Sequence, residues 1–290
     1  MIGLVQKLDP DRVFPTHTGH KIKLALLVSH ILFFVWLFSN EFSWTYFLFV
    51  TPFLWFFIGK LGMEIGYHRY FTHRSFTASK PVEMLLHITG IIATVGSPLS
   101  WAGMHRAHHR LADQPGDPQN SRTKSPLKIW LTFLGDDWHI SPSSVKDLMR
   151  DPTQRFIHRH YFKIVIAYIA VWAAISWYVN SLYPILTAWV IPSVSNFTVA
   201  GFLNGFFHRQ GKPWKPPFSY RNFDTNDNSL NSPMLWMMGS QLHNNHHAYP
   251  TSSNFNVYRR WSEADFSGWF IKHFLATEVK ETILEDTNVR

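Results

Sequence analysis

The sequence contains no cysteine in its 290 residues, and charged residues make up only 16% of it. The missing thiols exclude a disulfide framework, a thiolate metal site and a cysteine nucleophile. A metal ion would therefore need His, Asp or Glu as ligands. Dense runs of Lys or Arg are also lacking, so we expect no nucleic-acid partner despite the net charge of +8. Residues 1–21 lack the apolar core of a cleavable signal peptide, and we expect them to form a cytoplasmic or interfacial arm.

Apolar residues are abundant but segregated. They account for 46% of the chain, although the mean hydropathy of -0.09 resembles that of a soluble protein. Four runs approach the roughly 20 residues that cross a bilayer. Their approximate bounds are 22–38, 42–66, 161–179 and 182–207. The short breaks within each pair predict two membrane hairpins, and Pro184 and Pro192 predict a kinked or late start of the last helix. The weaker run 84–101 predicts a re-entrant or interfacial helix.

The positive charges provide a second test of this topology. Of the 27 Lys and Arg residues, four lie before or at the very start of the first run, fourteen lie within residues 60–163, and nine follow from Arg209 onward. The two tight connections carry none. By the positive-inside rule, both termini and the middle segment face the cytoplasm, while the connections face outward. A soluble bundle of buried Phe-rich helices would need no such asymmetry, and the runs lack the polar face of soluble amphipathic helices.

These patterns together predict one all-α integral membrane domain over residues 1–290. We expect four transmembrane helices in two hairpins. A cytoplasmic helical cap, formed by residues 67–160 and 208–290, would hold a di-metal centre at the membrane face.

Histidines recur at the cytoplasmic ends of these runs, in HRYFTHRSF, HRAHHR, NGFFH and HNNHH. In HNNHH, the residues His243, His246 and His247 follow i, i+3 and i+4 spacing, so one face of a helix carries all three side chains. One such stretch is a modest signal, but nine histidines at one membrane face are hard to explain by chance. Nine imidazoles exceed what one ion binds, which predicts a binuclear centre.

His68 and His73 do not fit the helical spacing. A five-residue step turns an ideal helix by about 500°, which leaves the two side chains roughly 140° apart. Either the helix ends between them, or the two histidines serve different ions.

The choice of metal follows from the ligand set. Neutral imidazole suits Zn, Cu, Fe and Ni, so coordination number alone selects none of them. A catalytic zinc site needs about three protein ligands, whereas two irons with four or five ligands each would use all nine histidines. The Glu and Glu-x-x-His ligands of soluble di-iron bundles are missing. The all-imidazole supply therefore favours a membrane di-iron oxygenase.

The order of these motifs resembles that of the membrane fatty-acyl desaturase family, in particular its Δ9 or stearoyl-type branch. The matching segments are HRYFTHRSF, HRAHHR with LADQPGDPQN, NGFFH, YRNFDTNDNS and HNNHHAYP. The resemblance implies two irons and O2-dependent insertion of a double bond into an acyl chain. The iron ligands it implies are His68, His73, His105, His108, His109, His208, His243, His246 and His247. Asn204 matches a position that reaches one iron through water.

The implied chemistry calls for external partners. An unactivated methylene pair offers no acidic proton and no leaving group, so the reaction needs iron and O2, with iron cycling between Fe2+ and Fe3+. Two electrons must come from outside, and we expect a ferredoxin or a cytochrome b5-type protein to dock on the basic cytoplasmic face. A fatty-acyl substrate and membrane lipid are the other expected partners.

Residues around the motifs are expected to support the centre. Acidic side chains can orient ligating imidazoles through their second nitrogen. The candidates are Glu64, Asp113, Asp117, Asp224, Asp227, Glu263 and Asp265. We also expect Trp101, Trp130 and Trp138 to wall an acyl tunnel.

Two departures from the family pattern leave the substrate open. Gly239-Ser240-Gln241-Leu242 replaces the usual Gly-Glu-x-x before the third histidine cluster, and Gly103-Met104 stands where CoA-using relatives tend to carry a charged pair. CoA, acyl carrier protein and membrane lipid are all compatible carriers. Acetylenase, hydroxylase and decarboxylase reactions are alternatives, because they share the hydrogen-abstracting step. Alternatives of other classes are a membrane metal transporter, which would place its ligands within the spans, and a haem-binding protein, which would leave the HxxHH repeats unexplained.

Overall fold

The structure is a computed structural model that describes residues 16–117, 119–132, 142–233 and 239–286. This part of the chain is mostly helical, as the sequence predicts. The helices are α1 (Thr16–Leu37), α2 (Tyr46–Thr72), α3 (Lys80–Ile92), α4 (Pro98–Leu111), α5 (Pro126–Thr132), α6 (Lys146–Met149), α7 (Pro152–Tyr178), α8 (Tyr183–Phe206), α9 (His243–Ala248) and α10 (Phe266–Phe270). Short 3-10 turns lie at Pro142–Val145 and Trp261–Glu263, and π-helical turns at Ile271–Leu275 follow α10.

Three of these helices, α2, α7 and α8, are long and apolar enough to cross a membrane. They correspond to the predicted runs 42–66, 161–179 and 182–207. The helix α1 covers the predicted run 22–38 but is not among the three, so the four-span arrangement stays a prediction.

Local signals explain where the long helices begin. α7 starts earlier than predicted because the Asp151 carboxylate accepts a hydrogen bond from the Thr153 N–H and Pro152 occupies the first turn. α8 begins at Tyr183 rather than late, since Pro184 lies in the first turn, where a missing N–H costs nothing. A π-helical turn at Leu186–Val190 precedes Pro192.

The predicted single helix over 84–101 is wrong. The chain forms α3, then a break, then α4. Thr94, which follows the cap residue Ala93 of α3, adopts a φ of 57°, a left-handed conformation that ends a helix, and Gly96 in the break has a φ of 96°. Ser97 then caps α4 by accepting a hydrogen bond from the Ser100 N–H, with Pro98 in the first turn.

The all-α prediction misses one small sheet. The strands β1 (Phe76–Ala78) and β2 (Ala276–Val279) pair antiparallel, with Phe76 opposite Val279. This pairing ties the end of the described chain to the segment directly after α2. Residues so far apart in sequence give no local pattern that would predict it.

Close backbone packing positions α3 against α2. A Cβ at Gly62 would lie 2.4 Å from the backbone of Thr89, and one at Gly90 would lie 2.1 Å from the Tyr67 ring. Both glycines therefore allow an approach that any other residue would block. The apolar core that results joins α2, α3 and α4, the region from which five of the nine histidines project.

Candidate metal centre

The end of α2 brings His68 and His73 together. The helix is π-helical from Trp55 to Thr72, and the His73 N–H donates to the His68 carbonyl at 3.1 Å. Because a π turn is wider than an α turn, residues five apart lie almost above one another. The two ring centroids are 4.9 Å apart. The helix ends between the two histidines, which is the first of the two sequence alternatives.

The nine predicted histidines fall into two groups, and within each group the candidate ligand atoms lie within 4.8 Å of one another. The five-histidine group consists of His68, His73, His105, His109 and His246. The four-histidine group consists of His108, His208, His243 and His247.

The helix α4 contributes to both groups. His105 and His109 lie four residues apart and join the five-histidine group, whereas His108 joins the four-histidine group. Positions i and i+4 share a line along the helix, while position i+3 lies on the other side of that line. One helix therefore contributes to both histidine groups.

The helix α9 also contributes to both groups, but its outer histidines join the group that takes only one histidine from α4. His243 and His247 join the four-histidine group, and His246 joins the five-histidine group. His208, just beyond α8, completes the four-histidine group. The two HxxHH motifs thus interlock, and the sequence left this assignment open.

The Nε2 atoms converge within each group. Their close distances are 2.9 Å for His68 and His246, 2.9 Å for His109 and His246, 3.1 Å for His105 and His109, and 2.9 Å for His208 and His243. Two imidazole nitrogens that each lie roughly 2.1 Å from one ion at a right angle are roughly 3.0 Å apart. Both groups therefore have the spacing of ligands around an ion.

Three further Nε2 atoms are buried and lack a hydrogen-bond partner among the described residues. They belong to His73, His108 and His247. A buried polar atom without a partner is costly in a protein interior. Metal coordination would satisfy all three, so the donor set fits two ions bound through imidazole.

Four carboxylates hold the opposite nitrogen of four histidines. The pairs are Glu64 Oε2 with His68 Nδ1 at 3.1 Å, Asp113 Oδ2 with His208 Nδ1 at 2.9 Å, Asp117 Oδ1 with His108 Nδ1 at 2.9 Å, and Asp227 Oδ2 with His247 Nδ1 at 3.0 Å. An ionised carboxylate keeps the proton on Nδ1 and leaves Nε2 as the ligand atom. These four are among the seven acidic residues that the sequence suggested.

The other three suggested acids do not contact a histidine in the described structure. Asp224 is exposed, Glu263 accepts from Asn245 Nδ2 at 3.1 Å, and Asp265 pairs with Arg69 at 2.8 Å. The expectation that these three carboxylates orient an imidazole directly is therefore wrong. Proximity to a motif in the sequence does not determine which side chain a carboxylate contacts in the folded chain.

Arg69 is a supporting residue that sequence reasoning missed. Its side chain is fully buried, and its guanidinium donates to Glu64, Asp265 and the carbonyls of Gly239 and Ser253. Glu64 in turn holds His68. A single arginine beside a histidine motif carries no periodic signal, so only the folded chain shows this link.

The pKa values outside the membrane helices agree with neutral imidazole and ionised carboxylate. Burial raises the pKa of Asp117, but His108 and backbone hydrogen bonds outweigh it and bring that pKa below its usual value. Burial, only partly offset by Asp227, lowers the pKa of His247 to about 4. Burial followed by neighbouring imidazoles lowers the pKa values of further histidines well below their usual value, namely His73, His105, His109, His243 and His246.

The metal-free protein is expected to lose stability as pH falls below about 6.5, the pKa of histidine in an unfolded chain. With lowered folded-state pKa values, the unfolded state binds more protons in this range, so stability rises with pH. Each such histidine contributes at most about 1.4 kcal/mol per pH unit. His208 opposes the trend, because Asp113 outweighs burial and raises its pKa.

The thermal midpoint of the metal-free protein in detergent, measured between pH 5 and pH 8, checks this expectation. The variant His273→Ala removes an exposed histidine and should leave the slope unchanged. An equal midpoint at both ends of the range would contradict it.

A cavity of about 50 Å³ adjoins both groups. His68, His105 and His243 line one end, together with Asn204. Asn204 donates through Nδ2 to the Ala200 carbonyl at 2.8 Å, so its amide is held in the α8 wall. The middle of the wall is apolar.

The predicted tunnel tryptophans differ in position. Trp101 lines the cavity and stacks on His105, with ring centroids 5.9 Å apart. Trp130 packs against Gly201 of α8, where a Cβ would lie 2.0 Å from its ring. Trp138 lies outside the described residues.

Similarity to known proteins covers most of the chain. The sequence model of the family described as fatty acid desaturase matches residues 42–265. The chain is 31% identical over 259 residues to the sn-1 stearoyl-lipid 9-desaturase of Anabaena variabilis, which covers 83% of this chain and 86% of the relative. It is 28% identical over 284 residues to the Delta-9 acyl-lipid desaturase 2 of Arabidopsis thaliana, covering 95% and 84%. It is 28% identical over 235 residues to the hex-5-enoyl-(acyl-carrier protein) acetylenase of Moorena producens, covering 72% and 68%.

The matched range contains all nine histidines of both groups and the four carboxylates that hold them. It also contains the cavity that the histidines adjoin. Because the family match spans more than half of the sequence, the chain belongs to the fatty acid desaturase family and is an oxidoreductase of that family.

Proposed function

We propose that the protein inserts a double bond into a saturated fatty-acyl chain in an O2-dependent reaction at a di-iron centre. The observation that carries the proposal is that the five-histidine and four-histidine groups lie at one end of a largely apolar cavity between α2, α4 and α8. An acyl chain in that cavity would lie directly beside the ions.

The two irons would be held by the nine histidines, five on one ion and four on the other, with Asn204 reaching one iron through water. Bound iron supplies the activation of O2 that removal of hydrogen from an unactivated methylene requires. A catalytic zinc site would have no use for nine imidazole ligands, since catalytic zinc takes about three protein ligands and a water.

The residues of the chain prepare this centre. Glu64, Asp113, Asp117 and Asp227 keep protons on Nδ1 of their histidines, which directs Nε2 to the metal. Burial of the groups excludes bulk water from the reacting methylenes.

The balance of the reaction defines the partners. One acyl methylene pair, one O2, two electrons and two protons give one double bond and two waters. The electrons come from a ferredoxin or a cytochrome b5-type protein that docks on the basic cytoplasmic face. According to their names, the Anabaena variabilis and Arabidopsis thaliana relatives act on stearoyl-lipid or acyl-lipid, whereas the Moorena producens relative acts on an acyl chain carried by acyl carrier protein. The two lipid-acting relatives cover more of this chain, which supports a lipid-linked acyl chain over CoA or acyl carrier protein.

We propose four spans, with α1 as the first. Exposed apolar side chains along α1 support this assignment, because they need lipid to cover them: Leu24, Leu27, Ile31 and Phe34 are more than half exposed. Both hairpin connections would face outward, and the termini and the metal centre would face the cytoplasm. The whole chain 1–290 would form one such unit.

Expression in a host with a defined saturated lipid profile tests the proposal. We expect a new fatty acid lighter by two hydrogens in total lipids by mass spectrometry, with iron bound to the purified protein. The position of the new bond comes from the same spectra after derivatisation. The unchanged host and the variant His246→Ala serve as blanks.

Other products would assign the scaffold to its alternatives. A fatty acid lighter by four hydrogens would indicate an acetylenase, which the similarity to the Moorena producens enzyme favours as the second candidate. An added oxygen or a shortened chain would indicate a hydroxylase or a decarboxylase. Transport of metal without any change in lipids would contradict an enzyme of this family.

A further inference from the structure

The cavity has a polar residue at the end remote from the histidines. Asn196 on α8 lines it and is only 3% exposed. Its Nδ2 atom is buried and has no hydrogen-bond partner among the described residues. A carboxamide at membrane depth is costly unless it is paired, and polar residues inside a span are usually tied to function.

The position of Asn196 follows from its neighbours. A Cβ at Gly59 would lie 3.3 Å from Asn196 Cβ and 3.3 Å from Trp55 Cδ1, so these three residues meet where α2 and α8 cross. Trp55 lies thirteen residues before His68 on α2, which places this crossing far from the histidines.

The wall between the two ends is apolar. Val199, Ala200 and Leu203 follow Asn196 along α8 toward the histidine end, and Met63 faces the cavity from α2. An acyl chain that enters past the histidines therefore meets apolar surface first and the Asn196 amide last. Lys60 also lines the cavity, and its Nζ lies 5.0 Å from the Phe56 ring centroid. Its positive charge is therefore at the same end of the cavity as Asn196.

The amide distinguishes two kinds of chain end. A water molecule or an oxygen-bearing group can hydrogen-bond to Nδ2, whereas a terminal methyl group cannot. A chain long enough to press its methyl against Asn196 must displace water and leave the amide unpaired. A shorter chain would leave room for a water molecule at Nδ2.

We propose that Asn196 is a chain-end selectivity residue, which disfavours a saturated acyl chain whose methyl group reaches it. The inference rests on the proposed function, because it takes the cavity as the acyl site. Asn196 would limit the length of the acyl chain through the polarity of its amide and not through the size of its side chain.

Equilibrium binding tests the proposal without any catalytic step. Saturated fatty acids of increasing length, and their terminally hydroxylated counterparts, displace a fluorescent fatty acid from the purified protein in lipid nanodiscs. In the natural protein, affinity should stop rising at one chain length, and at that length the hydroxylated acid should bind roughly tenfold more tightly than the methyl-ended acid. In Asn196→Leu, which removes the amide and keeps the branched shape of the side chain, affinity should continue to rise with length and the preference for the hydroxylated acid should reverse.

The ratio of the two affinities is compared between the natural and variant proteins in the same nanodiscs, so the different partition of the two acids into lipid cancels. Val199→Ala is the matched control, since it enlarges the same wall without changing its polarity and should keep the preference for the hydroxylated acid. If Asn196→Leu fails to bind the shorter acids, Asn196→Val, which is smaller, replaces it.

An unchanged length profile and an unchanged methyl to hydroxyl ratio in the leucine or valine variant would overturn the proposal. Absence of saturable binding by the natural protein would overturn it too. Failure of the proposed function shows separately: fatty acids would still bind with the predicted preferences, while the expression experiment would yield no unsaturated product.

Discussion

Replacing either His108 or His109 by alanine is expected to reduce formation of the unsaturated product by more than roughly 100-fold, the upper end of what loss of a residue behind a metal ligand costs. These neighbours in α4 belong to different groups, so each variant damages a different ion site. Because the reaction needs both ions, the two variants should be equally inactive. Metal analysis of the purified proteins should give about one bound iron per chain in each, against about two in the natural protein.

Two further variants calibrate this result. Asp117→Asn replaces the carboxylate that holds His108 Nδ1 at 2.9 Å and that also accepts from the N–H groups of Asp113 and Gln119. It should weaken iron binding by roughly 10–100-fold without abolishing it. His273→Ala removes an exposed histidine and should keep both iron and activity. Full iron content together with natural activity in His108→Ala or His109→Ala would contradict the assignment of these ligands.

Arg69→Met is expected to lower the free energy of unfolding by about 3–5 kcal/mol, the usual cost of removing one partner of a buried ion pair. Methionine fills much of the same volume but leaves Asp265 and Glu64 buried without their cation. The guanidinium also lies 3.7 Å from the Phe255 ring centroid, a contact that methionine replaces only in part. Denaturation of the natural and variant proteins in the same detergent measures the difference.

Three related variants separate charge from packing. Arg69→Lys keeps the charge but loses the forked hydrogen bonds, so we expect an intermediate loss. Asp265→Asn introduced into Arg69→Met should restore part of the stability, since it removes one unpaired charge. Arg74→Met breaks an ion pair with Asp147 that is about 40% exposed, and its effect should stay within about 1 kcal/mol. Equal stability of Arg69→Met and Arg74→Met would contradict the role assigned to Arg69.

Ser240 stands where the family pattern Gly-Glu-x-x has glutamate, and its contacts show what the serine does there. Its hydroxyl donates to Glu64 Oε2 at 2.6 Å, on the carboxylate that holds His68. The preceding Gly239 adopts a φ of 98°, and a Cβ there would lie 2.7 Å from Glu64. A glutamate at position 240 would bring a second carboxylate to this point. The chain instead carries a neutral donor, which leaves a single negative charge behind His68.

Much of the architecture was predictable from the sequence. Runs of apolar residues predict α2, α7 and α8 because the cost of burying polar groups in lipid depends on composition over a whole span. The i, i+3, i+4 spacing of HRAHH and HNNHH predicts shared helix faces because that spacing is a local property of the helix. The sheet that joins residues near 76 and 279 was missed, since pairing across such a separation depends on the path of the whole chain.

The sequence by itself determined the residue types, that is, an all-imidazole donor set, no thiol, and apolar segments long enough for a membrane. The tertiary structure alone decided which histidine joins which group, because α4 and α9 approach the centre from different directions and split their histidines in opposite ways. It also decided that the π-helical end of α2 aligns His68 with His73, and that Arg69 links Asp265 to Glu64. These relations depend on distances between segments that are remote in sequence, and no local pattern of residues records such distances.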